Sequence, residues 1–300
     1  MLILSMLPQL KFHLDTCRMT RKEALGLAFH NCTNFLEARI EMKVTFDSNV
    51  WRWVVDPDAT PNSEEKSVYR QLHELCLKGV IFGHLSVSMF AWEAVNRLDR
   101  KSILEKDAAL TIRKPLKEKD GCFFQVIEIG PDRTIHPGTP EKFMYYLSKA
   151  RSLGFKLMRI PRLGYLYNRD IADDDDEIWA PHDEDMSKYF SECVRVIEEL
   201  GGGMSQLRAF GGPSIGLGWL EKIKLASPDK AKFIAKAVAE WADGDSVAAH
   251  LAYKNDLFCT KDNGRGAGAH SVMHPENAST LARHFGFKKV SPAEALAYFL

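Results

Sequence analysis

The stretch from Lys43 to Val50 constrains the chain most. Val44, Thr45 and Phe46 are residues that strands favour, and Asp47 stands directly where such a strand would end. In open parallel sheets, ligands sit beyond the carboxyl ends of the strands. A carboxylate at that place is a natural ligand for a hard cation. Aspartate also opens turns and caps helices. One acid after an apolar triplet therefore decides little, and its weight depends on other acids in equivalent places.

A chain of 300 residues has room for one large domain or two ordinary ones. Its 45% apolar and 27% charged residues are those of a soluble globular protein, and 40 basic side chains balance 40 acidic ones. With zero net charge, any polyanion has to be gripped by a local basic patch. The six cysteines, Cys17, Cys32, Cys76, Cys122, Cys193 and Cys259, form no CxxC pair. That argues against a zinc ribbon and a disulfide framework, and for a reducing cytoplasm. Met1 to Leu10 is apolar but too short to span a bilayer, and Lys11, His13 and Asp15 follow at once. No small-residue cleavage site is evident, so neither a membrane segment nor an export signal is expected.

Thr20 suits the cap of a helix whose Ala24, Leu25, Leu27 and Ala28 recur at helical spacing towards Phe35 and Leu36. Residues 1–40 therefore read as an N-terminal helical arm covering one face of a sheet. After Asp47, a loop through Pro57 and Pro61 leads to a helix from about Ser63 to Lys78, closed by Gly79. Val80-Ile81-Phe82 reads as a second strand and Leu85 to Ser88 as a further extended stretch. Met89 to Leu98 reads as a helix with Glu93 in its first turn. Strand alternating with helix predicts an α/β fold around a parallel sheet.

Residues 105–227 interrupt that rhythm. Cys122 to Ile129 predicts a strand, and Thr139-Pro140 opens a helix towards Gly154. Lys142, Lys149, Arg151, Lys156, Arg159, Arg162 and Arg169 follow with no acid between them, and Phe155, Tyr165 and Tyr167 are interleaved. Single-stranded nucleic acid needs such a mixture, with phosphates paired and bases stacked. An ordinary solvated face with core aromatics is the bland alternative. Asp173 to Asp176 and Glu177, then Asp183, Glu184 and Asp185, form the opposite field. Adjacent carboxylates repel, so this reads as a solvated acidic loop rather than a metal site. A helix from about Asp185 to Leu200 ends at Gly201-Gly202-Gly203, and the segment to Gly218 is glycine-rich. It holds neither GxxxxGK[ST] nor a strand followed by GxGxxG, so it reads as a loop and not a nucleotide cradle.

Ser227-Pro228-Asp229 starts a helix with an N-cap, a proline at the first position and an acid in the first turn. Phe233, Ile234, Ala237, Val238 and Trp241 form its apolar stripe. Asp245 then reads as the N-terminus of a helix whose small residues, Ala248 to Ala252, let it lie close against a sheet. Leu257 to Thr260 gives a strand, and Lys261-Asp262-Asn263 follows, so an acid again stands at a strand's carboxyl end. Thr280 to Phe285 predicts a helix, Phe287 to Val290 a strand, and Ser291-Pro292-Ala293-Glu294 caps a closing helix.

The order of a strand ending in Asp-Ser-Asn-Val, a helix with a glutamate, an Asp-led alanine-rich helix and a strand ending in Thr-Lys-Asp resembles the PIN-domain ribonucleases. The resemblance covers roughly residues 41–104 and 228–300. It implies a three-layer α/β/α domain with a central parallel sheet, interrupted by an inserted, mostly helical subdomain at 105–227. It further implies a carboxylate site for Mg²⁺ or Mn²⁺ made by Asp47, Glu93, Asp245 and Asp262. Asn49 and Thr260 would support them, and Asp243 competes with Asp245 for the third ligand. The large insertion and the N-terminal arm depart from the compact pattern of that family.

The function expected is metal-dependent endoribonuclease activity, either toxin-type under an antitoxin-like inhibitory protein or in housekeeping or defence. Single-stranded RNA would be the substrate, with Arg151, Lys156, Arg159 and Arg162 forming part of its route. A cytoplasmic location and a homo-oligomer fit the same reading. The alternative is a non-catalytic RNA-binding or scaffolding PIN-like protein, against which a complete acid set argues. His250, His270, His274 and His284 with Cys259 match no tight zinc-ligand spacing. An Asp-x-Asp phosphatase lacks its second acid, because position 49 is Asn.

Overall fold

The structure, a computed structural model, describes residues 41–106, 138–162, 171, 176–212, 218–264 and 268–299, together with the backbone of short strands within 108–131. The readings made for residues 1–40, for Tyr165, Tyr167 and Arg169, and for Asp173 to Asp175 lie outside these residues.

The first strand, β1 (Met42–Phe46), ends at Asp47, and helix α1 (Trp51–Val55) starts four residues later. Helix α2 (Ser63–Leu77) is capped by the Asn62 side chain, which accepts the Glu64 N–H at 3.0 Å, and ends before Gly79 at φ 65°. Strand β2 (Ile81–Ser86) is one element where the sequence suggested two short extended pieces. Gly83 in its middle leaves room for the Phe155 ring, which stacks on Phe46 at 5.5 Å; a Cβ on Gly83 would stand 2.4 Å from that ring. The helix expected over Met89 to Leu98 is instead a single π-type turn, Met89–Glu93, followed by a short helix, α3 (Arg100–Leu104).

Two antiparallel pairs follow, β3 (Ala108–Ile112) with β6 (Ile127–Pro131), and β4 (Lys117–Lys119) with β5 (Cys122–Phe124). Then come α4 (Glu141–Ser152), β7 (Lys156–Met158), α5 (Met186–Glu199), α6 (Ser205–Ala209) and α7 (Trp219–Lys224). Helix α8 (Ala231–Ala252), β8 (Leu257–Cys259), α9 (Pro275–Phe285), β9 (Lys289–Val290) and α10 (Pro292–Ala297) complete the described chain. Helix α10 has the capping box read from the sequence, with Ser291 and Glu294 each accepting the other's backbone N–H.

The central sheet has five strands in the order β7-β2-β1-β8-β9, and every neighbouring pair is parallel. The chain runs outward from β1 through β2 to β7, then returns to the other side of β1 for β8 and β9. The topological switch point therefore lies between β1 and β8, where open α/β sheets keep a crevice at the carboxyl ends. Val44, Phe46, Leu257 and Cys259 face one buried cluster shared with α1, α2, α4 and α10. Phe258 and Met158 face a second cluster shared with α5, α8 and α9. Helices thus cover both faces, as parallel strands without a solvated side require. No described helix is long and apolar enough to cross a membrane.

Two expectations need correction. Residues 105–227 are not set apart as a mostly helical subdomain: β7 is the third strand of the central sheet, α5 packs on α8, and 108–131 forms strands. Three residues are too few to print a strand signature in the sequence, and the basic run around β7 obscured it. The helix expected to begin at Asp245 is also one continuous element from Ala231 to Ala252. A lone glycine costs roughly 1 kcal/mol in a helix interior, too little to break so long an alanine-rich one. Gly244 has its own use, because a Cβ there would stand 2.7 Å from the Gly203 Cα.

Candidate metal centre

Asp47, Glu93 and Asp243 bring carboxylate oxygens within 4.8 Å of one another, the one such group of potential ligands among the described residues. Each comes from a different element: the end of β1, the π-type turn after β2, and the middle of α8. π-type turns recur at functional sites because the extra residue re-aims the side chains that follow.

Asp47 is the most firmly held. The Ser48 N–H donates to its Oδ1 at 2.7 Å, while Thr260 Oγ1 at 2.5 Å and Asn49 Nδ2 at 2.9 Å donate to its Oδ2. Thr260 directly follows β8, so these bonds tie the two carboxyl ends that flank the switch point. Asn49 also accepts the Lys261 N–H at 2.9 Å, and Thr260 Oγ1 accepts the Asp262 N–H at 2.9 Å. Asn49 and Thr260 therefore brace Asp47 and the segment that carries Asp262. Asp262 itself is not one of the three convergent acids; its Oδ1 accepts the Gly264 N–H at 2.7 Å.

Burial raises the Asp47 carboxyl, with Asp262 adding to the rise, against the hydrogen bonds from Thr260, Ser48 and Asn49. Glu93 is pushed up to about 7, first by burial and then by Asp47, while Ser48, Arg100 and Arg52 pull it back. Asp243 is raised well above the usual range by burial, then by Asp47, Glu93, Glu240 and Asp262. Glu93 Oε1 is buried with no hydrogen-bond partner. An orphaned buried oxygen among mutually repelling acids is the donor set that a hard divalent cation would relieve, so these residues fit one.

Asp245 does not join the three. Helix residues advance about 100° each, so two positions place Asp245 roughly 200° around α8 from Asp243. Its carboxylate is fully buried and meets Arg162, whose Nη2 lies 3.2 Å from Oδ1. Burial pushes this carboxyl up to about 7 even so, with Arg162 and then Trp241 opposing and Glu198 adding to the rise. Of the two aspartates that compete for the third place, it is Asp243 and not Asp245 that joins the convergent carboxylates. The continuous helix also puts Glu240, one turn earlier, on Asp243's side, where its Oε1 accepts the Val272 N–H at 2.6 Å. Burial raises Glu240 to about 7.

The basic run divides similarly. Arg162 is engaged with both Asp245 and Glu198 and its side chain is 10% exposed, which removes it from a nucleic-acid route. Arg159 lies 3.9 Å from the Trp179 ring centre, the Lys156 ammonium donates to the Glu177 carbonyl, and Arg151 is exposed. Of the histidines, His250 is buried, hydrogen-bonded to Thr45 Oγ1 at 2.9 Å and set edge-on to Phe258 and Phe287. It is a packing residue, and burial followed by His84 drives its imidazole down to about 3.

The sequence reading missed two cations beside the acids. Arg100, buried in α3, donates to the Ala235 carbonyl at 3.1 Å. Arg52, in α1, stands over the rings of Trp53 and Phe143. Arg52 stands two residues after the Asp-Ser-Asn-Val stretch, which is the only local signal it gives. No family model, curated protein or solved structure matches the chain.

Proposed function

We propose that this chain is a metal-dependent nuclease that hydrolyses the phosphodiester bonds of RNA in the manner of the PIN-domain ribonucleases its sequence resembles. The observation that carries the reading is the convergence of Asp47, Glu93 and Asp243, from three separate elements, at the switch point of a parallel sheet. Mg²⁺ or Mn²⁺ held there would supply positive charge for the developing oxyanion and lower the pKa of a water. Asp47 keeps its carboxylate aimed through the Ser48, Asn49 and Thr260 bonds, so little geometry has to be organised on binding. Glu93 contributes the unpartnered Oε1, and Asp243 is delivered by a helix too long and buried to shift. Arg151 and Arg159 remain available to guide a single strand.

The test is metal-dependent cleavage of end-labelled single-stranded RNA and of matched DNA, by wild type and by Asp47→Asn. We expect the wild type to cut RNA with Mg²⁺ or Mn²⁺, to stop on chelation, and Asp47→Asn to be inactive although folded. Equal cleavage by the two proteins would remove Asp47 from the site. A wild type that binds RNA without cutting it, under any metal, would favour the scaffolding alternative.

A further inference from the structure

We propose that Arg52 is the phosphate-gripping cation of this site, taking a non-bridging oxygen of the substrate held against the acidic group. The inference rests on the nuclease reading above and deepens it. Its starting point is charge: a divalent ion leaves three carboxylates one charge short of neutrality, and a phosphodiester brings one more negative charge. Arg100, which acts on Glu93 and Asp243, offsets one of these charges and leaves one for a further cation.

Several other cations around the site are engaged. Lys261 pairs with Glu65 at 2.7 Å, Lys149 with Asp56 at 2.8 Å, and Arg162 with Asp245 and Glu198. Lys289 donates to the Met273 carbonyl at 2.7 Å, and Arg100 is buried on the Ala235 carbonyl. Arg52 differs. Like Arg100 it has a buried Nε without a partner and acts on Glu93, but it is half-buried where Arg100 is buried, and it has no carboxylate at ion-pair distance among the described residues. A half-buried guanidinium left so is costly unless something completes it.

Its position is also fixed in advance. The Val50 and Trp51 N–H groups both donate to the Asp47 carbonyl, at 2.9 Å and 3.0 Å, which anchors the start of α1 directly beside the first acid. The guanidinium then lies 5.5 Å from the ring centres of both Trp53 and Phe143. Phe143 is itself wedged against Trp51 and Phe90, at 6.2 Å and 6.4 Å. A planar cation stacked on such a platform loses little freedom on binding and presents the fork that matches phosphate oxygens.

The experiment measures binding of inorganic phosphate to the Mn²⁺-loaded protein by calorimetry, for wild type, Arg52→Met and Arg52→Lys, with RNA cleavage followed in parallel. Methionine keeps the contact with both rings and removes the charge, and near-ultraviolet circular dichroism checks that it folds. We expect Arg52→Met to lose about ten- to a hundredfold in phosphate affinity with Mn²⁺ affinity unchanged or slightly tighter. Arg52→Lys should fall in between, because an ammonium cannot stack as a plane. If the methionine variant does not fold, the lysine variant carries the test through its own smaller loss. Phosphate binding and RNA cleavage equal to wild type in the variants would overturn the proposal and leave the nuclease reading standing. Failure of the wild type to bind Mn²⁺ would sink both.

Discussion

Asp243 and Asp245 stand two residues apart on one helix, and their carboxylates face opposite charge environments. On one side Asp243 meets Asp47 and Glu93, with Glu240 and Asp262 close by and no cation at ion-pair distance among the described residues. On the other, Asp245 meets Arg162, which also holds Glu198, and Arg208 completes the chain of charges at 3.3 Å from Glu198. Both carboxyls are raised, and burial is the first cause of each. The difference lies in what completes them. On the Asp245 side the protein's own arginines supply the countercharge, although neither Asp245 oxygen has a hydrogen-bond partner among the described residues, whereas on the Asp243 side three carboxylates converge in a group that could hold a cation.

The largest expected effect breaks the neutralised side. Arg162→Met should destabilise the protein by about 3–5 kcal/mol at pH 8, because it leaves Asp245 buried without a countercharge. At pH 5 the loss should be smaller, since Asp245 titrates near 7 with Arg162 present and higher without it, and can then stay protonated. Urea unfolding at the two pH values measures this. A loss under 1 kcal/mol at both would mean that the pair contributes nothing and that the two sides of α8 are alike.

The next effect is on binding. Asp243→Asn should weaken Mn²⁺ binding by a hundredfold or more, about 2.7 kcal/mol, while Asp245→Asn leaves it within a factor of about two. The asparagine at 243 should also stabilise the metal-free protein, because it removes one of the three repelling charges. Calorimetric titration with Mn²⁺ separates the two variants, and equal losses would contradict the opposed geometry.

Much of this arrangement can be read before folding. Val44 to Phe46 and Leu257 to Cys259 are apolar runs ended by polar residues, and both became central strands with the site at their carboxyl ends. Caps and stops were equally local: Asn62 and Gly79 bound one helix, and Ser291 with Glu294 caps another. Asp243 and Asp245 were harder to separate. Asp-Gly-Asp has the composition of a helix break, and only the continuous helix, with Gly244 packed against Gly203, puts the two aspartates on different sides and Asp243 with Asp47 and Glu93. Arg52 was hidden for a different reason. Its second aromatic partner, Phe143, lies far away in sequence, and no local pattern marks a guanidinium as unpartnered. Likewise β7 is a strand because β2 offers it an edge, not because of its own three residues.

The smallest effect per unit of perturbation is the pH dependence of the metal-free protein, and it tests both sides at once. Glu93 and Glu240 rise from an ordinary 4.5 to about 7, and Asp245 from 3.8 to about 7, each through burial first. A carboxyl whose folded pKa lies above its unfolded one contributes stability fully below the unfolded value and loses it as the pH climbs through the folded value. Stability should therefore decline between about pH 4.5 and 7, at up to roughly 1.4 kcal/mol per pH unit for each group that is titrating. Mn²⁺ selects the ionised form of its ligands and so should flatten the contribution of Glu93 and Asp243. It should leave that of Asp245 in place. The residual slope in saturating Mn²⁺ should then fall in Asp245→Asn to the part that Glu240 contributes, whereas Asp243→Asn, where binding is lost, should keep the full slope. Urea midpoints across this range for the three proteins, with and without Mn²⁺, give the six slopes. If Mn²⁺ altered the slope of Asp243→Asn as much as that of wild type, the ion would be binding elsewhere and Asp243 would lose its role.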